Sequence, residues 1–244
     1  MFSLSFQEKL RKPIISISGL MHKTGIAGGW LRFVSASHRF IIWRSPFIKS
    51  LKATVVIDVG ANSGEFALLA RAAFPTASIF CFEPQAEAYA VLNKVMGKDK
   101  NYKSFQVALG EKTESAIMHL DEFSPNSSFV RQSANSTPQQ MQLQKLDAYE
   151  HLISPTDRTI LKLDVEGYEL AILKGAEVFL SKTDYIYVES RTTDPIGCTF
   201  SEIYEFLVQR GWEYQGAYDA VYTSEGKLMY FDALFKNAQR STTN

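Results

Sequence analysis

Five carboxylates carry most of the chemical information in this chain: Asp58, Glu83, Asp164, Glu166 and Glu189. They close the short apolar runs "TVVID", "SIFCFE", "ILKLDVE" and "YIYVE", which read as buried strands ending in acid. An acid buried at such a place without a partner costs free energy. A carboxylate at a strand end can instead accept hydrogen bonds from both hydroxyls of a ribose, serve as a base, or share a cation. Glu83 stands 23 positions after Gly60, the spacing of the second strand end in a βαβ unit, and is the candidate ribose acceptor. Pro84 then turns the chain away from the strand. The connection "DVGANSG" (58–64) has glycines at 60 and 64, where small residues let backbone approach a ligand closely. It is neither the three-glycine dinucleotide fingerprint nor a phosphate loop ending in Gly-Lys-Ser/Thr.

The elements that must position these acids alternate along the chain. Strand 54–60 is followed by the helix "SGEFALLARAAF" (63–74), stopped by Pro75. Strand 77–82, helix 86–97 and strand "YKSFQVALG" (102–110) come next. "SAIMHLDE" (115–122) and "QMQLQKLDAYE" (140–150) read as further strands around the polar loop 123–140, a flap rich in Ser, Asn, Pro and Gln. Strand 159–167, helix "YELAILKGAEVFLS" (168–181), strand 184–190 and a helix over 200–210 complete the alternation. A β-hairpin with the turn "SEGK" ends it. Repeated βα units imply a mostly parallel sheet covered by helices on both faces, with ligands bound beyond the carboxyl ends of its strands.

The chain has 244 residues, 45% of them hydrophobic, with 26 basic and 26 acidic side chains. That suits one α/β domain with an N-terminal extension. Residues 1–52 hold nine Lys and Arg but only one acid, Glu8, leaving 17 basic and 25 acidic residues elsewhere. A basic arm is thus joined to an acidic body. The boundaries read as an arm over 1–52, a catalytic domain over 53–237 and a polar tail over 238–244. The arm fits three roles: a helical cover on the domain, a peripheral contact with an anionic membrane surface through residues 9–49, or recognition of an anionic substrate. Cys81 and Cys198 form no disulfide framework or metal cluster, and no apolar stretch approaches membrane-spanning length. The expected location is the cytoplasm. His22, His38, His119 and His151 lack ligand spacing, and His119, beside the flap, is the nearest of them to a base.

"VVIDVGANSGEFALLA", "FEPQ", "VALGE", "NSSF", "KLDAYE" and "LKLDVEGYELAILKGA" together resemble the FkbM-type methyltransferases, a class I S-adenosylmethionine-dependent family. The resemblance covers about residues 54–235. It implies a Rossmann-like, doubly wound, mostly parallel seven-stranded sheet with an antiparallel C-terminal hairpin. It further implies that Asp58, Gly60, Asn62 and Gly64 line the methionine part of the cofactor, that Glu83 holds its ribose, and that Val107 and Ala108 border its adenine. S-adenosylmethionine carries no phosphate, so an acidic rim suits its ammonium and sulfonium.

Methyl transfer then asks the protein mainly to align an acceptor and exclude water. An alcohol acceptor gains from a base or a metal, for which Asp164, Glu166 and Glu189 are the candidates. Paired carboxylates at Asp164 and Glu189 also suit Mg²⁺, while Glu166 or Glu169 could serve only to cap the following helix. "PNSSF" (125–129) is a candidate to close over the substrate. By analogy within the family, the expected activity is O-methylation of a sugar, glycan or related secondary metabolite. A polyketide or lipid hydroxyl and a non-catalytic nucleoside-binding module are the alternatives. The acidic body and the lack of an Asn-Pro-Pro-aromatic motif speak against nucleic acid.

Overall fold

The computed structural model describes residues 46–121, 127–130, 132, 136–192 and 197–240. The basic arm up to residue 45, flap residues 123–126, 131 and 133–135, and residues 241–244 lie outside the described residues, and so do the readings placed on them, membrane contact included. The seven-stranded sheet contains β1 (Val55–Val59), β2 (Ser78–Phe82), β3 (Tyr102–Phe105), β7 (Thr159–Leu163), β8 (Tyr185–Arg191), β9 (Trp212–Tyr222) and β10 (Leu228–Asn237). Its order is β3-β2-β1-β7-β8-β10-β9, with β10 antiparallel to both neighbours and the other pairs parallel. The chain winds outward from β1 to β3 and then resumes at β7 on the other side. The switch point therefore lies between β1 and β7, where a crevice opens at the strands' carboxyl ends.

β1 and β7 are buried along their whole length, as strands covered on both faces must be. Val55, Ile57, Leu161 and Leu163 face one core, with Phe179 and Leu207 from the helices α5 (Glu177–Ser181) and α6 (Phe200–Val208). Val56 and Ile160 face the other, with Ile48 of α1 (Pro46–Ser50) and Phe66 and Ala70 of α2 (Glu65–Ala73). α3 (Ala86–Met96) buries Leu92 in that second core. Among the described residues no helix is long and apolar enough to cross a membrane.

Several expectations change. The run 102–110 is not one strand: β3 ends its ladder where the Phe105 carbonyl accepts from Glu83 N, and β4 (Ala108–Leu109) pairs with β6 in a separate sheet. β6 spans Thr137–Gln144 and β5 spans Ser115–Leu120, giving the order β4-β6-β5, so residues 137–140 belong to a strand and not to the flap. Residues 146–152 form a 3-10 turn rather than strand, because Leu146 is fully buried and Asp147 Oδ1 accepts Phe179 N at the start of α5. The helix expected over 168–181 is two, α4 (Glu169–Lys174) and α5, broken at Gly175. The Gly110 carbonyl passes so close that a Cβ at 175 would meet it at 2.1 Å. Arg240, in the segment read as a polar tail, bonds the Asp184 carboxylate and the carbonyls of Pro155 and Asp157.

Candidate active site

The loop after β1 folds across β2, because the N–H groups of Gly60 and Ala61 both donate to the Phe82 carbonyl. Gly60 adopts φ +74°, and a Cβ there would lie 2.0 Å from the Asp164 carbonyl. Only glycine permits this approach of the two central strand ends. Asn62, also left-handed at φ 44°, donates its backbone N–H to Glu83 Oε2, and Gln85 N donates to Oε1, both at 2.8 Å. Each carboxylate oxygen of Glu83 thus takes one fixed backbone donor and keeps acceptor capacity for a ligand. Glu83 is buried, and that burial pushes its carboxyl up to about 7 against the pull of the two N–H groups.

The floor beneath this loop holds charge. Lys162, across from Asp58 in the β1–β7 register, places Nζ 3.1 Å from Asp58 Oδ1, 3.1 Å from the Gly60 carbonyl and 3.6 Å from Asp164 Oδ2. Its ammonium also lies 5.3 Å from the centre of the Phe66 ring.

The other end of the crevice is built after β7 and along β8. Asp164, Glu166 and Glu189 bring carboxylate oxygens within 4.8 Å of one another. Glu166 (φ 55°) and Gly167 (φ 98°) form a left-handed turn. Glu169 Oε1 accepts the Val165 and Gly167 N–H groups at 2.9 and 3.1 Å, and the Cys198 thiol donates to its Oε2. Ser128 Oγ donates to the Glu166 carbonyl at 2.7 Å. The Arg191 guanidinium donates to both Glu166 and Glu189, supplying a cation to the cluster. Glu189 nonetheless has its carboxyl pushed well above the ordinary range, first by burial and then by Asp164, Glu166 and Glu169; Arg191 pulls the other way.

A cavity of about 300 Å³ joins the two ends. Gly60, Asn62, Glu83, Ala108, Asp164, Glu166 and Glu189 all line it, so seven of the nine expected site residues meet in one space. Asp58 and Gly64 are not among the lining residues: Asp58 is fully buried under the floor, and Gly64 packs against Leu92. Of "PNSSF", Ser127 and Phe129 form part of the roof, and Phe129 packs against Tyr168 with ring centres 5.1 Å apart. Met118 of β5 also faces the cavity, whereas its neighbour His119 does not line it. His151 packs near Tyr149, away from the acids.

The sequence reading missed Lys162, Arg191 and Tyr230. A lone lysine inside "TILKLD" and an arginine directly after "VES" were the available signals. Glu169, read as a helix cap, instead fixes the turn that carries Glu166. The residues fit S-adenosylmethionine: an anchored carboxylate for the ribose stands beside a glycine turn whose missing Cβ opens space. Acids surround that space, and among the described residues no basic side chain lines it.

The sequence profile described as "Methyltransferase FkbM domain" matches residues 58–215. A relative, the 2-O-methyltransferase NoeI of Sinorhizobium fredii (strain NBRC 101917 / NGR234), is 26% identical over 151 residues, covering 55% of this chain. The matched part spans 62% of that relative's length. Among solved structures, an rRNA methylase from Streptococcus thermophilus is 11% identical with a TM-score of 0.47, over 84% of this chain and 96% of its own. TrmK of M. capricolum, solved with S-adenosyl-homocysteine, is 10% identical with a TM-score of 0.45, over 79% of this chain and 68% of its own. The chain belongs to the FkbM methyltransferase family and carries that family's S-adenosylmethionine-dependent domain.

Proposed function

We propose that this protein is an O-methyltransferase that methylates a hydroxyl of a sugar or glycan. The observation that carries the reading is the meeting, in one cavity, of a backbone-anchored carboxylate at Glu83 with the acidic trio Asp164, Glu166 and Glu189. Family membership supplies the reaction class, and the likeness to NoeI, a 2-O-methyltransferase, supports oxygen as the acceptor atom.

S-adenosylmethionine, when bound, supplies a methyl group already activated by its sulfonium. Glu83 accepts the ribose hydroxyls and fixes that end of the ligand. Glu189, buried and with a raised carboxyl pKa, takes the proton of the acceptor hydroxyl as the new oxygen–carbon bond forms. Asp164, beside Glu189, orients that hydroxyl. Glu166 acts through Arg191, which holds it against Glu189. Phe129, Tyr168 and Tyr230 wall this end with aromatic faces suited to the apolar side of a sugar ring. Arg191 already provides the cluster with a cation.

The test is calorimetric titration of S-adenosylhomocysteine into the wild type and Glu83→Ala, followed by a methyl-transfer screen of sugars and glycans. Loss of two charge-assisted hydrogen bonds should weaken binding about 100-fold or more in the variant. Wild-type protein that is folded but does not bind would sink the reading.

A further inference from the structure

We infer that the buried Asp58–Lys162 pair is a positioning device for the cofactor end of the cavity, with Lys162 tying the two central strand ends into binding geometry. This rests on the assignment of the cavity to S-adenosylmethionine. Lys162 does not line the cavity and is 4% exposed, one residue before the end of β7, a strand buried along its whole length. A lysine ammonium has three donors and no acceptor. Here it donates to the Gly60 carbonyl at 3.1 Å and makes ion-pair contacts with Asp58 Oδ1 at 3.1 Å and Asp164 Oδ2 at 3.6 Å. Two of these partners, Gly60 and Asp164, form cavity wall. The third, Asp58, is fully buried and keeps the ammonium from being an uncompensated charge.

Stability alone gives a poor account of the arrangement. Replacing a buried ion pair by apolar residues of similar volume is often neutral or stabilising. The row that holds Asp58 and Lys162 continues to Cys81 and Tyr187, and α2 covers it with Phe66, so an apolar row would pack well there. What an apolar row could not do is hold the Gly60 carbonyl. That carbonyl belongs to a residue at φ +74°, whose N–H is already spent on Phe82. Lys162 Nζ holds its oxygen at 3.1 Å. By gripping Gly60 and Asp164 together, Lys162 sets the width of the crevice at the switch point. It also leaves one net negative charge from these three groups under a ligand whose methionine end carries an ammonium and a sulfonium.

Removing Lys162 alone leaves Asp58 as a buried charge, and Lys162→Met is expected to fold poorly. The informative variant is therefore Asp58→Asn/Lys162→Met, which removes both charges, with Ile160→Ala as control. Ile160 is fully buried on the same face of β7, two residues away, and does not line the cavity. The double variant should melt close to the wild type yet bind S-adenosylhomocysteine at least tenfold more weakly by calorimetry. In turnover the loss should appear as a raised KM for S-adenosylmethionine; a merely structural defect would lower the active fraction at unchanged KM. Ile160→Ala should melt lower and bind within twofold of wild type. A folded double variant that binds like wild type would overturn the inference, as would an equal loss of affinity in Ile160→Ala. Absence of binding by the wild type itself would instead remove the cofactor assignment, and the inference with it.

Discussion

The two ends of the cavity are held by different means. At the cofactor end, Glu83 is gripped by backbone N–H groups from two loops, and the Gly60 turn is set by left-handed geometry that a side chain would obstruct. At the acceptor end the acids are held by side chains: Arg191 on Glu166 and Glu189, Ser128 on the Glu166 carbonyl, and Cys198 on Glu169. Backbone donors cannot be exchanged by point substitution, whereas side-chain partners can. Apart from the Asp58–Lys162 pair beneath it, the proposed cofactor end thus rests on backbone, while the proposed acceptor end can be retuned without rebuilding the sheet.

The largest effect that would sharpen this contrast is on turnover. Glu189→Gln should cut kcat by about 10²–10⁴-fold while S-adenosylhomocysteine binds within twofold of wild type. Equal loss of both would show that the ends are not separable.

A smaller effect concerns pH. Glu83 titrates near 7 in the folded protein, above the ordinary value of 4.5. In the proposed role its carboxylate would accept the ribose hydroxyls, so affinity for S-adenosylhomocysteine should be full above pH 7 and fall up to about tenfold per unit below it. The free protein should show the opposite trend. A carboxyl raised on folding contributes stability that is present below 4.5 and lost as pH rises through 7. Calorimetry and melting curves on Glu83→Gln, which should flatten both trends, provide the check.

The smallest effect is expected from metal removal. Because Arg191 occupies the place between Glu166 and Glu189, treatment with EDTA should change turnover less than twofold. A large loss restored by Mg²⁺ would mean that Arg191 yields to a metal during the reaction.

The same contrast explains what the sequence made legible. Short motifs encode backbone geometry, so the Gly60 turn, Glu83 at its strand end and the "DVEG" turn could be recognised within a few residues each. The mostly parallel sheet followed from the alternation of elements, and the antiparallel hairpin from two β-rich runs around a turn. Side-chain pairings across the fold left little local trace. Lys162 and Gly60 lie 102 positions apart, Ser128 and Glu166 lie 38 apart, and Arg191 lies 25 from Glu166. Gly175 sits in a run that reads as one continuous helix, and only the carbonyl of Gly110 makes it a break. Asp58 shows the limit from the other side. Its place beside the glycine turn suggested a wall residue, but strand pleat turns it under α2 toward Lys162.

The position of β10 has a consequence for how the chain is made. It slots between β8 and β9, although it is the last of the three to leave the ribosome. Until residues 228–237 emerge, β8 has one open edge, and Tyr230 cannot take its place in the cavity wall. Glu189 sits on that edge, paired with Asp232 in the finished sheet. The cofactor end can therefore take shape while synthesis is still under way, whereas the acceptor end waits for the final strand, and a nascent chain arrested before it would present a half-built pocket beside an adhesive β edge.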